Sequence, residues 1–336
     1  MADTTNLQHQ RSFDTFVTRT HELEPYCDDL RKVINEALAV LRTVRVPRQG
    51  GLLRLPELPE LTKHPVWDFQ DQKNRLQRAV HDVDGLTSRM GQPIRVAFMG
   101  EFSTGKSTLI NCFLAGIFGI PVSEIPQEIL RRTGLQPVDT RITVLQHSSA
   151  TRVLDAKWID VVPVRHDLFK ILNLVDTPGR DSEPFDDQNV IDFLSRVDVI
   201  VYLFNTVHQF GLRDRQFFTE KLKNFPHTPI CFVLSHAETH LFDDSGILKT
   251  NTLEPLVESL NNRMETIPGR TERVFFEVGK NLFPVGSQKG FGFADLYRHV
   301  LSQYASEEAW DRKLGALVGD LIHLASRVKT VLLELK

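Results

Sequence analysis

Residues 94–108 read Ile94-Arg95-Val96-Ala97-Phe98-Met99-Gly100-Glu101-Phe102-Ser103-Thr104-Gly105-Lys106-Ser107-Thr108. A mostly apolar, strand-like run enters a loop bounded by Gly100 and Gly105. The helix-forming run Leu109-Ile110-Asn111-Cys112-Phe113-Leu114 follows at once. Strand, glycine-bounded loop and helix in that order give the Gly-x-x-x-x-Gly-Lys-Ser pattern its mechanism: backbone N–H groups wrap a polyphosphate at the positive end of a helix. Phe102, Ser103, Thr104, Gly105, Lys106, Ser107 and Thr108 form the expected nucleotide-binding set. Lys106 is placed to reach the β- and γ-phosphates, and the Ser107 hydroxyl to hold Mg²⁺.

Outward from this loop, strand-like and helix-like runs alternate. Ile142–Gln146 and Arg152–Trp158 read as two strands, and Lys170–Asp176 as a third, ending in Asp176-Thr177-Pro178-Gly179. Helices are expected over 188–196, 212–224 and 253–267. Val197–Phe204 and Pro229–Leu234 read as buried strands of the parallel type, and Arg273–Val278 and Leu282–Val285 as further strand-like runs. The fold class expected is α/β: a mostly parallel sheet with helices on both faces, in the P-loop GTPase manner. Asp176 at the carboxyl end of a strand can hold the hydration shell of a magnesium ion, and the amide of Gly179 can sense a γ-phosphate. A P-loop followed by that tetrapeptide, with an extra strand pair between the two, points to the GTPase branch of P-loop proteins.

The ends of the chain read as helix. Apolar residues recur at three- and four-residue spacing over 10–44, with Pro25 breaking the run, and again over 67–90. Prolines and glycines mark 45–65 as a connector. From Ser306, a plausible N-cap, an apolar stripe runs through Trp310, Leu314, Leu317, Leu321, Leu324, Val328, Val331 and Leu335. The favoured partner for that stripe is the pair of N-terminal helices rather than a second molecule. The division expected is residues 1–92 as N-terminal helices of a bundle, 93–305 as the nucleotide-binding domain and 306–336 as a C-terminal helix packed on the first.

An apolar content of 41% and a charged content of 25% are those of an ordinary globular protein. The formal net charge of −3 gives no reason to expect nucleic acid as a partner. Three widely separated cysteines, Cys27, Cys112 and Cys231, lack metal-ligand spacing, and the polar N-terminus has no signal-peptide core. The expectation is a cytoplasmic protein, at most peripheral to a membrane. The twelve histidines form no helical metal pair, and no Ser/His/Asp or Cys/His set is inferable. Arg131 and Arg132 read as solvated residues of a long loop over 119–139, in preference to an arginine finger supplied across a dimer.

Gly100–Asn111, Leu172–Gly179 and Phe193–Leu203 resemble the bacterial dynamin-like GTPases of the dynamin superfamily, over roughly residues 67–305. The resemblance implies GTP hydrolysis to GDP with Mg²⁺, slow alone and accelerated when two GTPase heads pair across their nucleotides. It implies a switch threonine at Thr140, which contacts the metal and positions water, with Thr143 as the alternate register. Ser103 matches the family's P-loop serine. Phe102 stands where eukaryotic dynamins carry a glutamine and offers no side-chain hydrogen bond to water. The catalytic set is therefore Ser103, Thr140 and Lys106, and the metal set Ser107, Thr140 and Asp176.

Guanine recognition, usually Asn/Thr-Lys-x-Asp, falls at Ser235-His236-Ala237-Glu238. His236 would lie over the base and Glu238 would accept the paired N–H donors of guanine. Ser287, Gln288 and Lys289 take the place of the family's loop beside base and ribose. Full family members add a long stalk and a membrane-binding tip, for which this chain has no room. It would be a fragment, a minimal member, or half of a pair whose other dynamin-like chain supplies the stalk. Membrane remodelling and a nucleotide-dependent homodimer follow from resemblance alone. Two other readings stand beside this one: a signalling or assembly-factor GTPase without a membrane role, and a P-loop ATPase or kinase if the atypical motif does not read guanine.

Overall fold

The computed structural model describes residues 13–43, 68–101, 103–131, 141–150, 158–179, 193, 196–206, 211, 214, 228–264, 276–286, 289–304 and 306–335. Seven strands form one sheet: β1 (Ile94–Gly100), β2 (Ile142–His147), β3 (Ile159–Val164), β4 (Leu172–Asp176), β5 (Val199–Asn205), β6 (Ile230–Ser235) and β7 (Leu282–Pro284). Their order is β3-β2-β4-β1-β5-β6-β7. Neighbours run parallel except β2 and β4, so β2 and β3 form a reversed edge beside five co-directed strands.

The central strands are apolar on both faces because helices cover both. Val96, Phe98, Val199, Val201, Leu203, Cys231 and Val233 face one core, while Ala97, Met99, Ile200, Tyr202, Phe204, Phe232 and Leu234 face the other. That alternation is the two-residue period of a strand. On the first face lie α4 (Lys106–Phe118), through Leu109, Phe113 and Leu114, and α6 (Phe293–Tyr304), through Leu296 and Val300. On the second lies α5 (Thr250–Met264), through Leu253 and Leu260.

Strand β3 lies next to a sequence expectation that the described residues do not reach. The second strand of the pair was expected over Arg152–Trp158, of which 152–157 lies outside the described residues. The strand found is Ile159-Asp160-Val161-Val162-Pro163-Val164. Pro163 reads as a breaker, yet β3 is the sheet's edge, where a residue without an N–H loses no ladder bond. The helices expected over 188–196 and 212–224 also fall largely outside the described residues.

The terminal helices pack together and onto the sheet. Helix α1 (13–21) stops one turn before α2 (Glu24–Thr43), and Pro25 sits in the first turn of α2, where its missing N–H has no intrahelical partner to lose. Cys27, Ile34 and Leu38 of α2, Leu76, Ala79, Val83 and Leu86 of α3 (Asp68–Arg89), and Leu317, Leu324, Val328 and Val331 of α7 (Glu307–Glu334) are buried against one another. Trp310 of α7 packs, tilted, against both Phe13 and Phe16 of α1, with each ring centroid at 5.0 Å. This helical core is continuous with the first sheet face. No described helix is long and apolar enough to cross a membrane.

Where bundle meets sheet, charge is buried. Asp198, just before β5, accepts from Arg89 Nε at 2.9 Å, from Lys313 Nζ at 3.0 Å and from the backbone N–H of Arg95 at 3.0 Å. Arg89 Nη1 also donates to Asp320 at 2.9 Å, and Lys313 Nζ to the carbonyls of Gln92 and Pro93 at 2.7 and 3.1 Å. All four side chains are at most 3% exposed. Burial alone would push the Asp198 carboxyl up, but Lys313, Arg89 and the Arg95 amide hold it below the usual carboxylate range. Burial, together with the neighbouring Arg95 and Arg89, brings the Lys313 ammonium down to about 8 against the pull of Asp198. Two helices of the bundle are thereby fixed to the entry of β5 and to the entry of β1, the strand that delivers the P-loop.

Candidate nucleotide site

The loops at the carboxyl ends of β1, β4, β6 and β7 gather at one edge of the sheet, where open α/β sheets bind ligands. The register explains the gathering: Phe98 of β1 lies beside Asp176, the final residue of β4, and the chain beyond β1 and β6 turns into loops at that edge.

Gly100 is required by geometry. Its φ is +150°, and a Cβ there would stand 2.3 Å from the carbonyl oxygen of Leu203 on β5. The loop then enters α4 with Gly105 as N-cap, no side-chain cap on the first N–H groups and no acidic residue in the first turn. Those N–H groups and the helix dipole are left for an anion. Lys106 is 7% exposed, and its Nζ donates to the loop's own carbonyls, Gly100 at 3.0 Å and Glu101 at 2.9 Å. Thr104 braces the turn through its hydroxyl to Glu101 O at 2.8 Å. Ser107 and Thr108 lie in the first turn of α4, half-buried, and Ser103 is exposed. Phe102 lies outside the described residues.

Among the described residues, two non-glycines have positive φ, Ser103 at 63° and His236 at 56°. They touch: the His236 ring donates from Nε2 to Ser103 O at 3.0 Å. Each left-handed residue stores about 1–3 kcal/mol, and such strain concentrates at functional sites. The ring that was expected over a base therefore lies against the phosphate loop, joining the two halves of the site.

Glu238 follows in a short 3₁₀ turn, Ala237–Thr239. Its Oε2 is buried and has no hydrogen-bond partner among the described residues. A Cβ on Gly286 would stand 2.7 Å from the Glu238 Cβ and 2.9 Å from Oε2, so only glycine lets the loop after β7 close on this carboxylate. Ala237 N donating to Val285 O at 3.2 Å fastens the two loops together. A carboxylate here can accept a pair of N–H donors such as N1 and N2 of guanine carry; adenine presents no such pair. Lys289 is exposed, its ammonium 5.6 Å from the Phe291 ring centroid, while Ser287 and Gln288 lie outside the described residues.

Asp176 is 4% exposed at the end of β4. Thr143 of β2 is its cross-strand partner, so the alternate switch threonine sits inside a strand; Thr140 lies outside the described residues. Thr177 caps the strand end through its hydroxyl to Phe98 O at 2.8 Å, and Gly179 is half-buried just beyond. Arg131 was expected in solvent. It is instead engaged here, Nε donating to Asp176 Oδ2 at 2.9 Å and Nη2 to Thr143 Oγ1 at 3.0 Å. Nothing in the local sequence marks it, because its partners come from two distant strands. Asp176, already pairing with a cation, and the Ser107 hydroxyl at the start of α4 are oxygen donors of the kind Mg²⁺ takes, with waters and phosphates supplying the rest.

Residues 95–236 match the protein family described as "50S ribosome-binding GTPase". No curated protein matches the chain. Among solved structures, an oligomerised bacterial dynamin pair is similar at 15% identity and a TM-score of 0.45, covering 91% of this chain and 56% of that one. Aquifex aeolicus Era bound to GDP.AlF4- is similar at 16% identity and a TM-score of 0.37, covering 63% and 57%. A septin GTPase domain from Chlamydomonas reinhardtii gives 14% identity and a TM-score of 0.41, covering 68% and 97%. This chain thus spans little more than half the length of the dynamin chain it matches. The seven-stranded sheet with the phosphate loop at its edge is a P-loop GTPase fold, and the match to a GTPase family falls over that stretch.

Proposed function

We propose that this protein is a dynamin-like GTPase in which GTP hydrolysis in the head moves the helices α2, α3 and α7. The observation that carries this reading is the buried charge joint. Asp198 and Arg95 lie at the entries of β5 and β1, and Arg89, Lys313 and Asp320 belong to the helices. β1 leads straight into the phosphate loop, so a shift there is transmitted to α3 and α7 through charges that are costly to separate.

Lys106 grips the phosphates, leaving the carbonyls of Gly100 and Glu101. The N–H groups at the start of α4 surround the phosphate oxygens, and Ser103 and Thr140 orient the attacking water. Glu238 reads the base, and His236 ties the loop that carries it to the phosphate loop. Ser107 and Asp176 hold magnesium, which when bound neutralises phosphate charge. Thr140→Ala should retain nucleotide binding while lowering turnover about a hundredfold or more, the scale of a lost water-positioning group. Unchanged single-turnover hydrolysis would transfer the role to Thr143.

Glu238→Ala should cut the preference for GTP over ATP by roughly tenfold to a hundredfold, because the loss leaves two guanine donors unpaired. Calorimetry with GTP, GDP and ATP on both proteins reads this directly, and wild-type preference for ATP would overturn the guanine assignment. The dynamin-like part is tested by light scattering: dimerisation is expected with GDP–aluminium fluoride and not with GDP, and a monomer in every nucleotide state would reject it.

A second reading, a signalling or assembly-factor GTPase, draws on the family match, whose description names a ribosome-binding GTPase. The net charge of −3 is weak support for an RNA partner. A dimer that forms only with the transition-state mimic separates the first reading from this one.

A further inference from the structure

The residue that engages Asp176 is held there from behind. Asn111 of α4, 4% exposed, clasps the backbone of Arg131 in both directions: its Nδ2 donates to Arg131 O at 2.8 Å, and Arg131 N donates to its Oδ1 at 2.8 Å. The helix that follows the phosphate loop thus positions the guanidinium, which is a built contact rather than a passing one. Arg131 then bridges the paired residues Asp176 and Thr143 of β4 and β2, with its side chain 11% exposed and that of Asp176 5%.

A carboxylate this buried needs a compensating cation. Arg131 supplies one, 2.9 Å from the carboxylate. We propose that Arg131 is a resident competitor for the magnesium site, holding Asp176 in the nucleotide-free arrangement and giving it up when the metal-bound nucleotide settles. The inference rests on the GTPase reading above. A divalent charge beside Asp176 and a guanidinium hydrogen-bonded to it repel one another, so each weakens the other's hold. The Asn111 clasp keeps the Arg131 backbone in place throughout, so the side chain swings and the segment stays. The device gives the nucleotide-free site a stable partner and makes magnesium, rather than nucleotide alone, the signal that frees Arg131.

The test is a magnesium titration of the full chain bound to a fluorescent guanine nucleotide, beside nucleotide affinity in EDTA. In Arg131→Gln the magnesium concentration for half-saturation should fall about tenfold, the scale of one charge-assisted hydrogen bond, with metal-free affinity changed much less. Arg131→Lys retains a charge without the two-pronged grip and should shift half-saturation the same way by a smaller amount. It also serves if the Gln variant folds poorly, since an ammonium still compensates Asp176. Half-saturation that is unchanged or raised in the variants overturns the proposal while leaving the GTPase reading intact. A wild-type chain that binds no guanine nucleotide, with or without magnesium, overturns both.

Discussion

Lys106→Ala should weaken GTP and GDP binding by on the order of a hundredfold to ten-thousandfold, the loss of two charge-assisted hydrogen bonds to phosphate. Calorimetry would then show no heat of binding at micromolar protein. The side chain belongs to the loop and not to either apolar core: its Nζ rests on the carbonyls of Gly100 and Glu101, and its neighbours in α4, Leu109 and Ile110, do the packing. Removing it frees those two carbonyls at a loop edge, so stability should fall by no more than about 2 kcal/mol. The variant is therefore expected to melt close to the wild type while binding nothing. Unchanged affinity would mean that the phosphates do not sit at α4, and the assignment of the site would fall.

The second large effect is on stability. Asp198→Ala should destabilise the fold by about 3–5 kcal/mol, because it leaves the buried Arg89 and Lys313 facing each other without their shared anion. For a chain of this size that is a fall of very roughly 4–7 °C in melting temperature. The exposed pair Arg19–Asp311, with side chains 52% and 76% open to solvent, is the control: Asp311→Ala should cost no more than about 1 kcal/mol. The pH dependence has a definite sign. Asp198 is depressed in the folded state, so its contribution is fully present above the ordinary aspartate value of about 4 and is lost as pH falls through the depressed value. The gap in melting temperature between wild type and Asp198→Ala should be widest near neutrality and shrink in acid. A gap below 2 °C at neutral pH, about what 1 kcal/mol or less gives, would reject a structural role for the joint.

What the sequence made legible follows the range of the interactions involved. The phosphate loop is legible because strand, loop and helix are contiguous. The stripe of α7 is legible because helical period survives without knowledge of the partner. Strand β3 was not marked in the sequence: Pro163 is forbidden in a central strand and harmless at an edge, and the sheet order is not written locally. Arg89, Asp198 and Lys313 passed as ordinary charged residues, since nothing in their neighbourhoods announces that chain topology will bury them together. Arg131 was read as solvated for the same reason. At Glu238 the residue type suggested a base contact; an Oε2 without a partner among the described residues and the fit of Gly286 against it arise only when β6 and β7 come together.

The joint also constrains how the protein is made. Arg89 meets Asp320, which is synthesised 231 residues later. At ordinary rates of translation that interval is roughly 10–50 s. During it, the sheet can assemble while Arg89 waits and the apolar faces of α2 and α3 lack α7. The nascent chain therefore passes through a period in which the head is formed and two helices still lack their partner, and ribosome-stalled chains ending before Glu307 should be markedly more sensitive to protease within 24–43 and 68–89 than the released protein.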